Sequence, residues 1–380
     1  MKNGLIEWDH QEIAESEISR RIEAIQEKMR AENFDGLILF GDVNEAGAVN
    51  YFSNFAPYYF SAALILPMSG VGIITTEMAQ RGKPWIQSNS FTQDVRFDRN
   101  YGKGCSTVLK EIKMEHHRIG IVEMDLFRYP ALVEIKKEFP KVEFIDATEM
   151  INELRLIRSP VEMNLIRRAG QIARECLESI LKNWNFQKEC ELAAEIERQA
   201  RYRKCEDIIV HITSHADEGH WLHLPTEEGL EQEVIVEMMV QYKNYWANLG
   251  RTILPRNAGT SVLYLKEKGE EIYSKAIKKL MPGVRVSDIL KGIKREVNQG
   301  FKIFSSIGFG LYVESMERAW IDDRGSKKYH QLTLKENMEV ILQLGLLDTA
   351  DFNKFLIQDT FLVGENEAEN ITAMPFWLTY

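Results

Sequence analysis

The chain has 380 residues, 44% hydrophobic and 27% charged, and its 57 acidic against 47 basic side chains leave a net charge of −10. That length exceeds one ordinary core and suits two domains, while the composition excludes a disordered or low-complexity chain. The negative balance argues against nucleic acid or an anionic membrane surface as the main partner and leaves a small polar substrate or a protein.

In chain order, the acidic N-terminus lacks a basic segment followed by an apolar one, so no secretory signal is read there. Ile18, Ile22, Ile25 and Met29 form the stripe of an amphipathic helix. Short β-rich runs follow at 36–40 and 48–52, and the apolar stretch 60–76 predicts a hairpin turning at Met68, Ser69 and Gly70. Pro67, Ser69, Gly70 and Gly72 interrupt that stretch, which is too short to span a bilayer. A strand at 119–124, a helix at 131–138 and a strand at 142–147 complete an alternating pattern, predicting an α/β domain over residues 1–155.

Ser159, Pro160 and Glu162 spell a capping box with Pro at the first helical position. Behind it Leu165, Ala169, Ile172, Cys176 and Ile180 share one face of a long helix, followed by a second helix at 187–203. Five strand-like runs then alternate with helices near 263–280 and 287–299, the latter with Ser287 and Asp288 as caps. This order predicts an α+β domain over 156–380. Cys105, Cys176, Cys190 and Cys205 are scattered without a CxxC pair, which reads as reduced thiols in a cytoplasmic protein.

Read together, these segments resemble the pita-bread superfamily of creatinase, prolidase and aminopeptidase P. The carrying motifs are AVNYFSNF at 48–55, LRLIRSPVEMNLIRRAG at 154–170, WLHLPTEE at 221–228, NLGRT at 248–252, LMPGVRVSDI at 280–289, SIGFGL at 306–311, and GENEAENIT with MPF near the C-terminus, which is similar to creatinase. The resemblance implies an α/β N-terminal domain, an α+β pita-bread C-terminal domain and a homodimer.

The family's metallopeptidases bind two divalent ions through two Asp, one His and two Glu. The resemblance places those ligands on Glu237, Asn248, Ile307, Gln343 and Gln358, so four of the five are replaced. Hard divalent cations need anionic oxygen or imidazole, which amides and isoleucine do not supply. No metal and no other cofactor is expected.

The same resemblance puts a proton-transferring His on His223 and a carboxylate-binding Arg on Arg318. An unperturbed imidazole titrates near ~6.5 and a guanidinium matches a carboxylate bidentately, so both roles are chemically apt. The creatinase carboxylates fall on Gly250 and Gln343, so a base must come from Glu237 or Glu314. Gln343, Gln358 and Asn248 are expected to hydrogen-bond the substrate, with His220, Phe309 and Tyr312 lining the cleft. His211, His215, His220 and His223 lie within thirteen residues, but their spacing matches neither HExxH nor a zinc finger.

Two readings follow. The first is a metal-independent hydrolase or lyase that cleaves a C–N bond in a small nitrogen-containing carboxylate, as creatinase does. The second is a non-enzymatic binding protein on the same fold; an Xaa-Pro metallopeptidase ranks third because of the replaced ligands.

Overall fold

The computed structural model describes residues 7–43, 46–114, 118–214, 223–230, 233–296, 301–308, 331–350 and 352–380. They form two compact units, one ending at Arg155 and one beginning at Leu156.

In the first unit, helix α1 (Glu15–Ala31) buries Ile18, Ile22, Ile25 and Met29, with Glu15 and Glu17 in its first turn and Lys28 and Arg30 in its last, favourable for the helix dipole. Strands β1 (Gly36–Asp42), β2 (Ser61–Pro67), β3 (Ile73–Thr76), β4 (Val95–Phe97), β5 (Arg118–Val122) and β6 (Glu143–Asp146) make a six-stranded mixed sheet in the order β4-β3-β2-β1-β5-β6. Helices α2 (Gly47–Ser53), α3 (Lys83–Ser88), α4 (Tyr101–Glu111), α5 (Tyr129–Glu138) and α6 (Thr148–Arg155) connect it. Ile38, Phe40, Ile65, Ile119 and Ile121 of the sheet pack with Cys105 and Leu109 of α4 and Ile135 of α5.

The run 48–52 is helical rather than extended. It lies within α2, which buries Ala48, Val49, Tyr51 and Phe52 and ends at Asn54 in the left-handed region (φ 61°). A short run buried on all sides carries no period, so strand and helix read alike in the sequence. The β2–β3 hairpin forms as expected, with Gly70 and Gly72 both at positive φ.

The second unit opens with α7 (Pro160–Lys182), where Ser159 and Glu162 complete a reciprocal capping box. Then come α8 (Glu189–Tyr202), β7 (Asp207–Thr213), β8 (Val234–Tyr242), β9 (Tyr245–Leu254), α9 (Thr260–Ile277), α10 (Val286–Arg295), β10 (Phe301–Gly308), β11 (Glu339–Asp348) and β12 (Lys354–Val363). Two short strands, β13 (Ala368–Asn370) and β14 (Trp377–Thr379), pair with β12 and β9. The main path is antiparallel, in the order β10-β11-β12-β9-β8-β7. Ser287 and Asp288 do not cap α10; its N-cap is Arg285, and both lie inside the first turn.

Helices α7 and α9 pack on this sheet. Beneath α9, Arg251 of β9 and Asp359 of β12 are fully buried and paired at 2.7 Å. The Arg251 guanidinium also donates to the carbonyls of Gly250, Gln358, Met374 and Pro375. Asp359 further accepts from Tyr273 and Thr372. Arg251 is thus a structural tie between strands.

Burial pushes the thiols of Cys105, Cys176 and Cys205 up to about 12, which leaves them unreactive near neutral pH. Among the described residues, no helix is long and apolar enough to cross a membrane.

Candidate functional site

Successive residues of a strand face opposite sides of the sheet, so the residues beside Arg251 and Asp359 turn away from α9. Those residues are Gly250 and Gln358, which pair with each other across β9 and β12. Gly250 also pairs with Glu237, Glu237 with His211, Gln358 with Gln343, and Gln343 with Ser306. One cross-strand row therefore runs His211, Glu237, Gly250, Gln358, Gln343, Ser306.

The β8–β9 turn sets this register. Lys243 (φ 47°) and Asn244 (φ 65°) both have positive φ, as a type I′ hairpin turn requires, and Tyr242 pairs with Tyr245 across it. From there the ladder brings Glu237 opposite Gly250.

Gly250 makes the site possible. Glu237 and Gln358 stand two strand spacings apart, about 9.6 Å, and their side chains meet over the gap. A Cβ on residue 250 would lie 2.9 Å from the Gln358 Cβ and 2.6 Å from Leu356 Cδ2. No carboxylate side chain fits at this position without displacing its neighbours.

Glu237 is 3% exposed. Its Oε1 accepts from Gln358 Nε2 at 2.7 Å and from Gln343 Nε2 at 3.0 Å, and its Oε2 lies 2.7 Å from His211 Nδ1. One residue pair further along the same face, Asn248 is fully buried. Its backbone exchanges hydrogen bonds with the Thr360 hydroxyl, while neither amide atom of its side chain has a partner among the described residues. Trp246, Met239 and Ile341 form a small apolar cluster there.

The structure thus brings Glu237, Gln343 and Gln358 together, with Asn248 beside them, and adds His211, which the sequence reading considered only as part of a histidine tract. Ile307 pairs with Leu342, whose own partner is Asp359. It therefore stands on the α9 side of the sheet, opposite to Gln343.

His223 is placed differently. Its Nδ1 donates to the Leu224 carbonyl at 2.8 Å and stands 3.9 Å from Glu189. The buried Glu189 is a clamp: Oε1 accepts from the backbone N–H and hydroxyl of Ser214, and Oε2 from those of Thr226. Burial pushes its carboxyl up, but these hydrogen bonds outweigh that and hold it below the ordinary value. The remaining candidates, His220, Phe309, Tyr312, Glu314 and Arg318, lie outside the described residues.

A depressed carboxyl contributes stability that is present above its unfolded pKa of about 4.3 and is lost as pH falls through the folded value. Glu189→Gln is expected to destabilise the protein by about 1–3 kcal/mol at pH 7 and to flatten the acid limb of a urea-midpoint profile. An acid limb as steep as that of the unmodified protein would rule the clamp out.

The donor set does not suit a divalent cation. Its one carboxylate is engaged at both oxygens, by N–H groups of two glutamines at Oε1 and by the His211 ring at Oε2, and an isoleucine facing away holds the expected imidazole position. Hard cations take oxygen ligands in an anionic shell. Among the described residues, no group of three or more His, Cys, Asp or Glu side chains is arranged to hold a metal ion.

The two-unit architecture defines a pita-bread protein, with a site of mostly neutral side chains around one carboxylate. Residues 164–365 match Metallopeptidase family M24 and residues 21–157 match the Creatinase/Prolidase N-terminal domain; the chain belongs to the M24 family. It is 23% identical over 353 residues to an Xaa-Pro dipeptidase of Pyrococcus horikoshii, covering 88% of this chain and 95% of that one. It is 21% identical over 394 residues to a creatinase of a Bacillus species, covering 96% and 92%. The X-Pro aminopeptidase structure from Thermotoga maritima superposes with a TM-score of 0.79 at 18% identity, covering 94% of this chain and 99% of that one. At such identity the structural likeness establishes the fold.

Proposed function

We propose that the protein is a hydrolase cleaving a C–N bond in a small nitrogen-containing carboxylate, and that it works without a metal ion. The names of its relatives, an Xaa-Pro dipeptidase and a creatinase, support C–N hydrolysis. The observation that carries the metal-free part is the hydrogen-bonded saturation of Glu237 by His211, Gln343 and Gln358. Several ionised carboxylates facing one another without a cation would cost several kcal/mol each in desolvation and repulsion; replacing Glu by Gln keeps the shape and removes the charge. Arg318 is assigned to the substrate carboxylate and Asn248 and Gln343 to its nitrogen-bearing group; by the family resemblance Glu314 is a candidate base and His220, Phe309 and Tyr312 are candidate substrate contacts. A cytoplasmic homodimer fits the unpaired thiols and the family resemblance.

The relatives' names favour a second reading, an Xaa-Pro dipeptidase, and the name of the matched family, Metallopeptidase family M24, gives that reading a metal requirement. One assay separates the two. Chelator-treated protein is offered guanidino acids, cyclic amidines, N-acyl amino acids and Xaa-Pro dipeptides, and released ammonia, urea or amine is measured. Release under chelator from one of the first three classes is expected. Release only from Xaa-Pro dipeptides, and only after Mn, Co or Zn is restored, would establish the second reading instead.

A further inference from the structure

We propose that His211, rather than His223, carries the proton in this site, and that Glu237 acts through it as a positioning residue; the proposal rests on the C–N hydrolase reading above. Two amide N–H groups converge on Glu237 Oε1, and an amide NH2 only donates, so Oε1 is held as an acceptor. An ionised carboxylate oxygen only accepts, so against the carboxylate form of Glu237 it is His211 Nδ1, 2.7 Å from Oε2, that carries the hydrogen of that contact. In a neutral imidazole this puts the lone pair on Nε2, on the side of the ring away from Glu237. Nε2 has no hydrogen-bond partner among the described residues.

Exposure points the same way. The His211 side chain is 24% exposed and that of Glu237 only 4%. The glutamine amides neither take up nor release protons near neutral pH, and the Glu237 oxygens are already engaged. His211 is therefore the member of the cluster that combines a basic atom with access. His223 likewise holds its Nδ1 hydrogen on an acceptor, but that acceptor is the neutral Leu224 carbonyl, and the carboxylate 3.9 Å away, Glu189, is already occupied by Ser214 and Thr226.

The step balances without further reagents. Water oxygen adds to the electrophilic carbon as one water proton passes to Nε2, giving an imidazolium that the adjacent carboxylate stabilises. The C–N bond breaks with its electron pair going to nitrogen, and nitrogen takes the proton from Nε2. Carbon has gained the hydroxyl of water, nitrogen has gained its hydrogen, and the imidazole is neutral again.

The test uses His211→Gln, whose amide can still donate to Glu237 but cannot relay a proton. On whichever substrate the metal-free protein turns over, kcat is expected to fall about 10²- to 10⁴-fold, with KM within about threefold of the unmodified value. In parallel, nitrogen-detected NMR of the imidazoles should show His211 in the Nδ1–H form, and Glu237→Gln should abolish that preference. Three results would overturn the proposal: an Nε2–H tautomer in the unmodified protein, whatever its turnover; kcat within about threefold in His211→Gln; or a larger loss in His223→Ala than in His211→Gln. If the unmodified protein turns over nothing in the panel, the hydrolase reading falls and the role of His211 falls with it. Activity that survives in His211→Gln overturns this proposal alone.

Discussion

Arg251→Met is expected to lower the stability of the second unit by about 3–5 kcal/mol, because it leaves a buried carboxylate without its counter-charge. Asp359 is fully buried, and the guanidinium that pairs with it also satisfies four carbonyls. Tyr273 and Thr372 donate to Asp359 but supply no charge. A domain's whole stability is only about 5–15 kcal/mol, so the single variant should populate unfolded protein at temperatures the unmodified protein tolerates. The double variant Arg251→Met, Asp359→Leu should recover part of the loss, since removing both charges removes the desolvation penalty with the attraction. Urea midpoints of the two single variants and the double variant form the cycle. Single-variant losses below about 1 kcal/mol would show that the pair does not tie β9 to β12 as described.

The same pair shows what the sequence could and could not reveal. NLGRT was legible as a motif, and the apolar face of α7 with its capping box was legible as a helix start, because these signals lie within one turn or one short segment. The whole of β9 was harder to see, since Tyr245, Trp246, Ala247 and Asn248 form no alternating pattern when both faces are buried. AVNYF failed for the same reason.

At the site, Gln343 and Gln358 could be placed together by their correspondence to one family motif set, and the structure pairs them directly. His211 could not. Its relation to Glu237 arises from pairing between β7 and β8, strands joined through a long connection, and one residue of slip would turn His211 to the other face. The useful signal was parity: once Glu237 is opposite Gly250, every side chain on that row follows. Parity also moves Ile307 to the other side of the sheet, which alignment by motif alone does not show.

The second large effect tests the neutral cluster itself. In the double variant Gln343→Glu, Gln358→Glu, two donors to Glu237 become two acceptors, and three carboxyl groups crowd where one hydrogen-bonded carboxylate stood. Each lost hydrogen bond to a charged group is worth about 1.5–3 kcal/mol, so a loss of roughly 3–6 kcal/mol at pH 7 is expected from those bonds alone. Crowding raises the folded-state pKa of such carboxyls above the unfolded value. The added penalty is therefore absent below about pH 4.3 and grows as pH rises through the folded pKa. Three converging carboxylates also make an oxygen site for a hard cation. Millimolar Mn2+ should thus raise the melting temperature of the double variant by mass action while leaving that of the unmodified protein unchanged. An equal rise in both would mean that the glutamines do not keep the cation out, and the metal-dependent dipeptidase reading would then be the stronger one.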